Sequence, residues 1–136
     1  MRTITEIIIH CTATRPNAIC TVESIRRYHR SLGWRDIGYH YVIYRDGTIH
    51  DGRDVDLTGA HTTGHNTNSI GISYVGGCGK DGKTPKDTRT EEQKATMLDL
   101  LLDLRRMYPT AKIYGHRDFA NKACPSFDAK KEYSRI

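Results

Sequence analysis

Apolar positions come in a few short runs, and their spacing changes along the chain. Residues 5–11 hold Ile7, Ile8 and Ile9 in succession. A continuous β-branched run predicts a central strand covered on both faces. Arg15, Pro16 and Asn17 then mark a loop. Thr21 reads as a helix N-cap with Glu23 in the first turn, and Val22, Ile25, Tyr28 or His29, and Leu32 follow at helical spacing. Gly33 ends that run, and Arg26, Arg27 and Arg30 fall on its wet side. Residues 39–44 are aromatic and β-branched and predict a second strand. Asp46-Gly47 is a hairpin signal, so residues 48–51 return antiparallel.

Residues 52–68, with three glycines and two histidines, read as a long surface loop, a place where function concentrates. A strand follows at 69–75, then a glycine- and lysine-rich loop at 76–86. Thr90-Glu91-Glu92-Gln93 is a capping box. It opens a helix to about Met107 whose apolar face is read as Met97, Leu98, Leu101, Leu102, Leu104 and Tyr108. Arg105 and Arg106 suit the C-terminal dipole, and Pro109 stops the helix. Residues 112–115 make a short strand, and Ser126 is the expected cap of a last short helix. The order β-α-β-β-β-α-β-α predicts one α/β domain over 1–136: a mixed central sheet flanked by helices.

Composition narrows the class. At 136 residues, 37% apolar and 27% charged, the chain has the make-up of one folded domain. Lys+Arg 21 against Asp+Glu 16 leaves +5, which favours anionic partners without choosing among them. No apolar run reaches the ~20 residues of a membrane span, and no membrane partner is expected. The N-terminal isoleucine run is too short for a signal peptide, so the expected location is the cytoplasm. Cys11, Cys20, Cys78 and Cys124 form no CxxC pair, and free thiols are expected. Basic residues are scattered among acids, so no nucleic-acid partner is expected. The GxSxG nucleophile turn is missing from the sequence.

The candidate chemistry lies at strand ends. His10 ends the isoleucine strand, where open α/β sheets place ligands; the alternative is an ordinary core histidine. His116 follows the last strand, and Cys124 lies eight residues later. Two histidines and a thiolate would give three protein ligands and an open fourth position, the pattern of a catalytic zinc. The spacing alone equally allows a loop histidine and a buried thiol. Lys122 is near Cys124 and reads alternatively as a solvated lysine. Tyr39 offers an O–H to a developing oxyanion or is one more half-buried strand tyrosine. His29, His50 and His65 have no evident partners and read as surface residues.

Four blocks taken together carry a resemblance. HCTAT at 10–14, GWRDIGYHYVIYRDGTI at 33–49, GAHTTGHNTNSIGISYVGG at 59–77 and GHRDFANKACPSFD at 115–128 resemble the type 2 N-acetylmuramoyl-L-alanine amidases. The likeness is nearest to the short phage amidases, and the animal peptidoglycan recognition proteins share the fold. The resemblance implies a zinc site in a surface cleft, with His10, His116 and Cys124 as ligands. It implies Tyr39 and Lys122 as catalytic side chains. It places 61–69 along the substrate groove, with His61 on its lining, Asn66 and Ser69 as substrate or support contacts, and His40 on the groove side. The implied reaction is hydrolysis of the amide joining the lactyl group of N-acetylmuramic acid to L-alanine in bacterial peptidoglycan.

The resemblance further implies a phage or prophage endolysin that waits in the cytoplasm until released to the cell wall, and as a small one-domain hydrolase the protein is expected to be a monomer. A phage member that also inhibits RNA polymerase has a longer N-terminal arm than the nine residues before His10 here, so polymerase binding is not expected. The alternative from another class is a non-catalytic peptidoglycan-binding module. Such members typically lack the ligand cysteine, whereas Cys124 is present.

Overall fold

The computed structural model describes residues 2–136. Strand β1 (Glu6–Cys11) is followed by helix α1 (Val22–Ser31), the hairpin β2 (Tyr41–Ile43) and β3 (Ile49–Asp51), and strand β4 (Ser69–Tyr74). Helix α2 (Glu91–Met107), strand β5 (Lys112–Gly115), a 3-10 turn (His116–Asp118) and helix α3 (Ala129–Glu132) complete the chain. The sheet order is β3-β2-β4-β1-β5. Every neighbouring pair is parallel except β2–β3, which is antiparallel. This is the mixed central sheet that the alternation of elements predicts.

Local rules explain the element ends. At α1 the Thr21 hydroxyl accepts from the Ser24 N–H and the Ser24 hydroxyl accepts from the Thr21 N–H. At α2 the same exchange joins Thr90 and Gln93, so the capping box read from sequence is present. Gln93 does more: its buried amide also donates to the Ile43 and Val75 carbonyls, fastening α2 to the ends of β2 and β4. Gly47 takes φ +84° in the hairpin turn, where Asp46 Oδ1 accepts from the Thr48 N–H at 2.9 Å.

Three local expectations are corrected. Leu98 and Leu102 are 41% and 40% exposed; the stripe that meets the sheet is Gln93, Met97, Leu101 and Leu104, and each of the two leucines lies one residue, about 100° of helix turn, off it. The last helix is capped by Asp128, which accepts from the Lys131 N–H, while Ser126 has φ +70° and lies outside the helix. The second strand is shorter than 39–44, running Tyr41–Ile43; just before it Gly38 packs its backbone so close to the Ala60 carbonyl that a Cβ would come within 2.1 Å.

Side chains alternate across the sheet. One face carries Ile7, Ile9 and Cys11 of β1 and Ile70, Ile72 and Tyr74 of β4 into a core with Met97, Leu101, Leu104, Phe127 and Tyr133. The smaller cluster on the other face joins Val22 and Ile25 of α1 to Ile37, Val42 and Val75. Helix α1 covers only part of this second face, and the 52–68 loop folds over the rest.

Candidate metal centre

The alternation that sends Ile9 into the core turns His10 to the opposite face, near the C-terminal end of β1. In the parallel register His10 pairs with Ser73 of β4. His116 begins the turn after β5, so both histidines stand at the same edge of parallel strands. The 115–128 segment folds back so that Cys124 meets β1: the Cys11 N–H donates to Cys124 Sγ at 3.2 Å. Donor atoms of His10, His116 and Cys124 all lie within 4.8 Å of one another. A tetrahedral zinc with bonds of ~2.0–2.3 Å holds its ligand atoms roughly 3.4–3.7 Å apart. The three side chains therefore suit such an ion, and two imidazoles with a thiol are zinc donors by type.

Electrostatics favours the metal-ready form of the histidines. Burial pushes His10 well below its ordinary pKa, helped by His61, His116 and Lys122. Burial and then Lys122 lower His116. Both rings are thus neutral at pH 7 and present lone pairs. Hydrogen bonding with Cys11 and burial hold the Cys124 thiol above the usual thiol range when no cation competes for it.

Tyr39 packs against the triad, its ring centroid 5.2 Å from that of His10. Burial, with the nearby thiols, pushes its phenol up, so it stays an O–H donor at neutral pH. Lys122 is exposed, and with His116 it lines a cavity of about 330 Å3 that also includes Trp34, Ala60, Thr62 and Asn66. A second cavity of about 400 Å3, lined by Thr12, Ile19, Ile25, Tyr28 and Tyr39, opens on the α1 side. His116 of the triad lines the first, and Tyr39, which packs on His10, lines the second. A larger cavity of about 460 Å3 beside β5 holds no His, Cys, Asp or Glu among its lining residues. Beside His10, Ser73 Oγ is buried without a hydrogen-bond partner.

The remaining expected groove residues divide. His61 lines the Lys122 cavity but is 8% exposed. Its Nδ1 lies 2.9 Å from His10 Nε2 and its Nε2 lies 3.1 Å from Ser69 Oγ. Burial brings its pKa to about 3. Asn66 lines the same cavity, and its Oδ1 accepts from the His61 and Thr62 N–H groups. Ser69 is fully buried and reaches His61, not the surface. His40 is 1% exposed and is held from inside the protein, at the edge of a cavity it shares with Tyr41 and Arg53. Its Nδ1 accepts from the Gly71 N–H at 3.0 Å, and its Nε2 donates to the Leu57 carbonyl at 2.8 Å. Burial lowers its pKa to about 4.

Residues without a predicted role also matter. Thr62 Oγ1 sits 3.0 Å from His61 Nδ1 and 3.3 Å from His10 Nε2; only its place beside His61 hinted at this. His29, expected at the surface, is buried and accepts the Gly38 N–H at 2.8 Å, between Trp34 and Tyr39. Its helical spacing with Val22 and Ile25 was the available signal. His65 and His50 also have partners, in Glu6 and Phe119 and in Tyr44 and Thr48 respectively.

Known proteins resemble this chain over most of its length. The N-acetylmuramoyl-L-alanine amidase family model matches residues 1–127. The endolysin of Enterobacteria phage K11 is 43% identical over 126 residues, covering 93% of this chain and 83% of that protein. The peptidoglycan-recognition protein SC2 of Drosophila melanogaster is 35% identical over 127 residues, covering 87% of this chain and 66% of that protein. Among solved structures, the N-acetylmuramoyl-L-alanine amidase LysC from Clostridium intestinale superposes with a TM-score of 0.82 at 27% identity, over 96% of this chain and 82% of that one. With the matched region spanning the whole triad, this chain belongs to the N-acetylmuramoyl-L-alanine amidase family.

Proposed function

We propose that this protein is a zinc-dependent endolysin that hydrolyses the amide between the lactyl group of N-acetylmuramic acid and L-alanine in bacterial peptidoglycan. The observation that carries this reading is the convergence of His10, His116 and Cys124 beside Tyr39 and Lys122 in an open cleft. When bound there, zinc supplies Lewis acidity, polarising a carbonyl oxygen and making water a better nucleophile at neutral pH. Three protein ligands, not four, leave room for that chemistry.

The chain's own residues account for the rest. Cavities beside His116 and beside Tyr39 give the glycan and peptide sides of the scissile amide each a place to lie. Attack on the lactyl carbonyl concentrates negative charge on its oxygen. Lys122 offers an ammonium and Tyr39 a neutral phenol O–H to that oxygen, and one such donor is typically worth about 3 kcal/mol of barrier. Asn66 holds the loop that walls one side. Residues 1–136 act as one catalytic domain, as a monomer, with peptidoglycan as the macromolecular partner. Among the described residues no helix is long and apolar enough to cross a membrane. We read the protein as held in the cytoplasm until release to the wall. The +5 charge adds a salt-sensitive attraction to anionic wall polymer.

The test is a product mass spectrum. Purified peptidoglycan is incubated with zinc-loaded protein and with a chelator-treated control. Free stem peptides beginning at L-alanine, absent from the control, are expected. Intact peptidoglycan that still retains the protein contradicts hydrolysis and returns the reading to a binding module.

A further inference from the structure

His61 is the least explained ring in the cleft. It sits beside the triad and outside it: the group whose donor atoms converge is His10, His116 and Cys124. It is also poorly placed to grip substrate, since both ring nitrogens already face partners inside the protein. The effort the fold spends on this ring is large. Gly71 lies so close beneath it that an added Cβ would come 2.6 Å from the ring, and a Cβ at Gly59 would come 2.8 Å from it. Asn66 Oδ1 accepts both the His61 and Thr62 N–H groups at 2.9 Å, which fixes the backbone that presents the ring.

The hydrogen bonds form one chain from Ser69 through His61 to His10. His61 Nε2 meets Ser69 Oγ at 3.1 Å, while its Nδ1 meets His10 Nε2 at 2.9 Å and Thr62 Oγ1 at 3.0 Å. A neutral imidazole has one N–H and one lone pair. If Nε2 carries the proton and donates to Ser69, then Nδ1 is the acceptor, aimed at His10. His10 must then carry its own proton on Nε2, which leaves His10 Nδ1 as the lone pair for a cation.

From this geometry we infer that His61 is a positioning residue: it accepts the His10 Nε2–H, and so fixes the tautomer and ring orientation with which His10 meets the metal. Thr62 and Ser69 complete the chain, the first flanking the His10–His61 contact and the second holding the far nitrogen. Metal-binding histidines generally donate their second N–H to an oxygen acceptor, and loss of that acceptor typically costs 10–100-fold in affinity. Here the acceptor is another imidazole, seated by burial and by two glycines that let the ring approach the backbone closely. This inference rests on the zinc reading of the triad.

The test measures zinc affinity of the metal-free protein by competition with a chromophoric chelator, with the visible spectrum of the cobalt-substituted protein as a second readout. Wild type should bind one zinc. His61→Phe should weaken zinc roughly 10–100-fold and shift the cobalt spectrum, with the apo fold retained by circular dichroism. His61→Asn keeps an acceptor near the Nδ1 position and should remain within about threefold of wild type. Ser69→Ala, which removes the partner of the far nitrogen, should fall between them; it decides the matter should His61→Phe not fold. Folded His61→Phe with wild-type affinity and spectrum overturns the inference while leaving the zinc site standing, as does His61→Asn losing as much as His61→Phe, or Ser69→Ala with no effect. Wild type that binds no zinc overturns both.

Discussion

Toward α2 and α3 the sheet presents Ile7, Ile9, Cys11, Ile70, Ile72 and Tyr74, all at most 4% exposed. Toward α1 and the 52–68 loop the same two strands present His10, Ser69, Gly71 and Ser73. Both faces are buried, but one is filled with hydrocarbon while the other sets small polar groups and imidazoles beside a smaller apolar cluster. On the first face burial is its own stabilisation, at roughly 25 cal/mol per Å2 of apolar surface. On the second a buried polar atom needs a partner; His61 meets His10 and Ser69 and His40 accepts the Gly71 N–H, while Ser73 Oγ has none. Stability and chemistry are thus separated by the period-2 alternation of a single pair of strands.

Substitutions on the two faces should therefore fail in different ways. Cys124→Ala removes the sulfur ligand and is expected to abolish both zinc binding and amide hydrolysis while the apo protein keeps its circular dichroism spectrum; metal analysis and the stem-peptide assay check both. Leu101→Ala on the dry face is expected to cost about 3 kcal/mol of folding stability. Its zinc affinity and turnover at low temperature should match wild type. A Leu101→Ala variant that unfolds no more easily but loses zinc would dissolve the distinction between the faces. Lys122→Ala should keep zinc and lose ~10²-fold in turnover, about 2.7 kcal/mol of barrier. Unchanged turnover would return Lys122 to an ordinary solvated lysine.

The dry face also contains one cation. Arg89 is buried there, with Glu132 and Asp87 around its guanidinium and the Phe127 ring beneath it. Its hydrogen bonds hold the Glu132 carboxyl below the ordinary range; at Asp87 they prevail over the opposing effect of burial. A depressed carboxylate stabilises the fold above its unfolded pKa, and that contribution is lost as pH falls through the folded value. Stability should thus decline as pH drops below about 4.5, and Arg89→Met should flatten that decline. Equal slopes in urea titrations of the two proteins would contradict the pairing. Leu98→Ser, on the outer side of α2, should change stability by no more than ~0.5 kcal/mol; a larger loss would mean the helix buries a second stripe.

What could be read from the sequence follows the range of the interactions. The isoleucine run, the Asp46-Gly47 turn and the Thr90–Gln93 capping box are local, and each appears in the structure. Leu98 and Leu102 were misplaced because hydrophobicity alone does not say how wide a stripe the sheet can cover. The candidate triad joins residue 10 to residues 116 and 124, more than a hundred positions away, so spacing could only suggest it, and the four family-like blocks singled it out. The burial of His40 and Ser69 depends on how the 52–68 loop packs over Gly71, which no periodicity encodes. The pairing of His61 with His10 was hidden for the same reason.

The most direct test of the polar face as a metal centre is zinc-edge X-ray absorption on the protein loaded with one equivalent of zinc. The account predicts one sulfur scatterer at ~2.3 Å with nitrogen or oxygen neighbours at ~2.0 Å, and loss of the sulfur shell in Cys124→Ala. A zinc surrounded only by nitrogen and oxygen, or one whose sulfur shell survives that substitution, would place the metal elsewhere and contradict it.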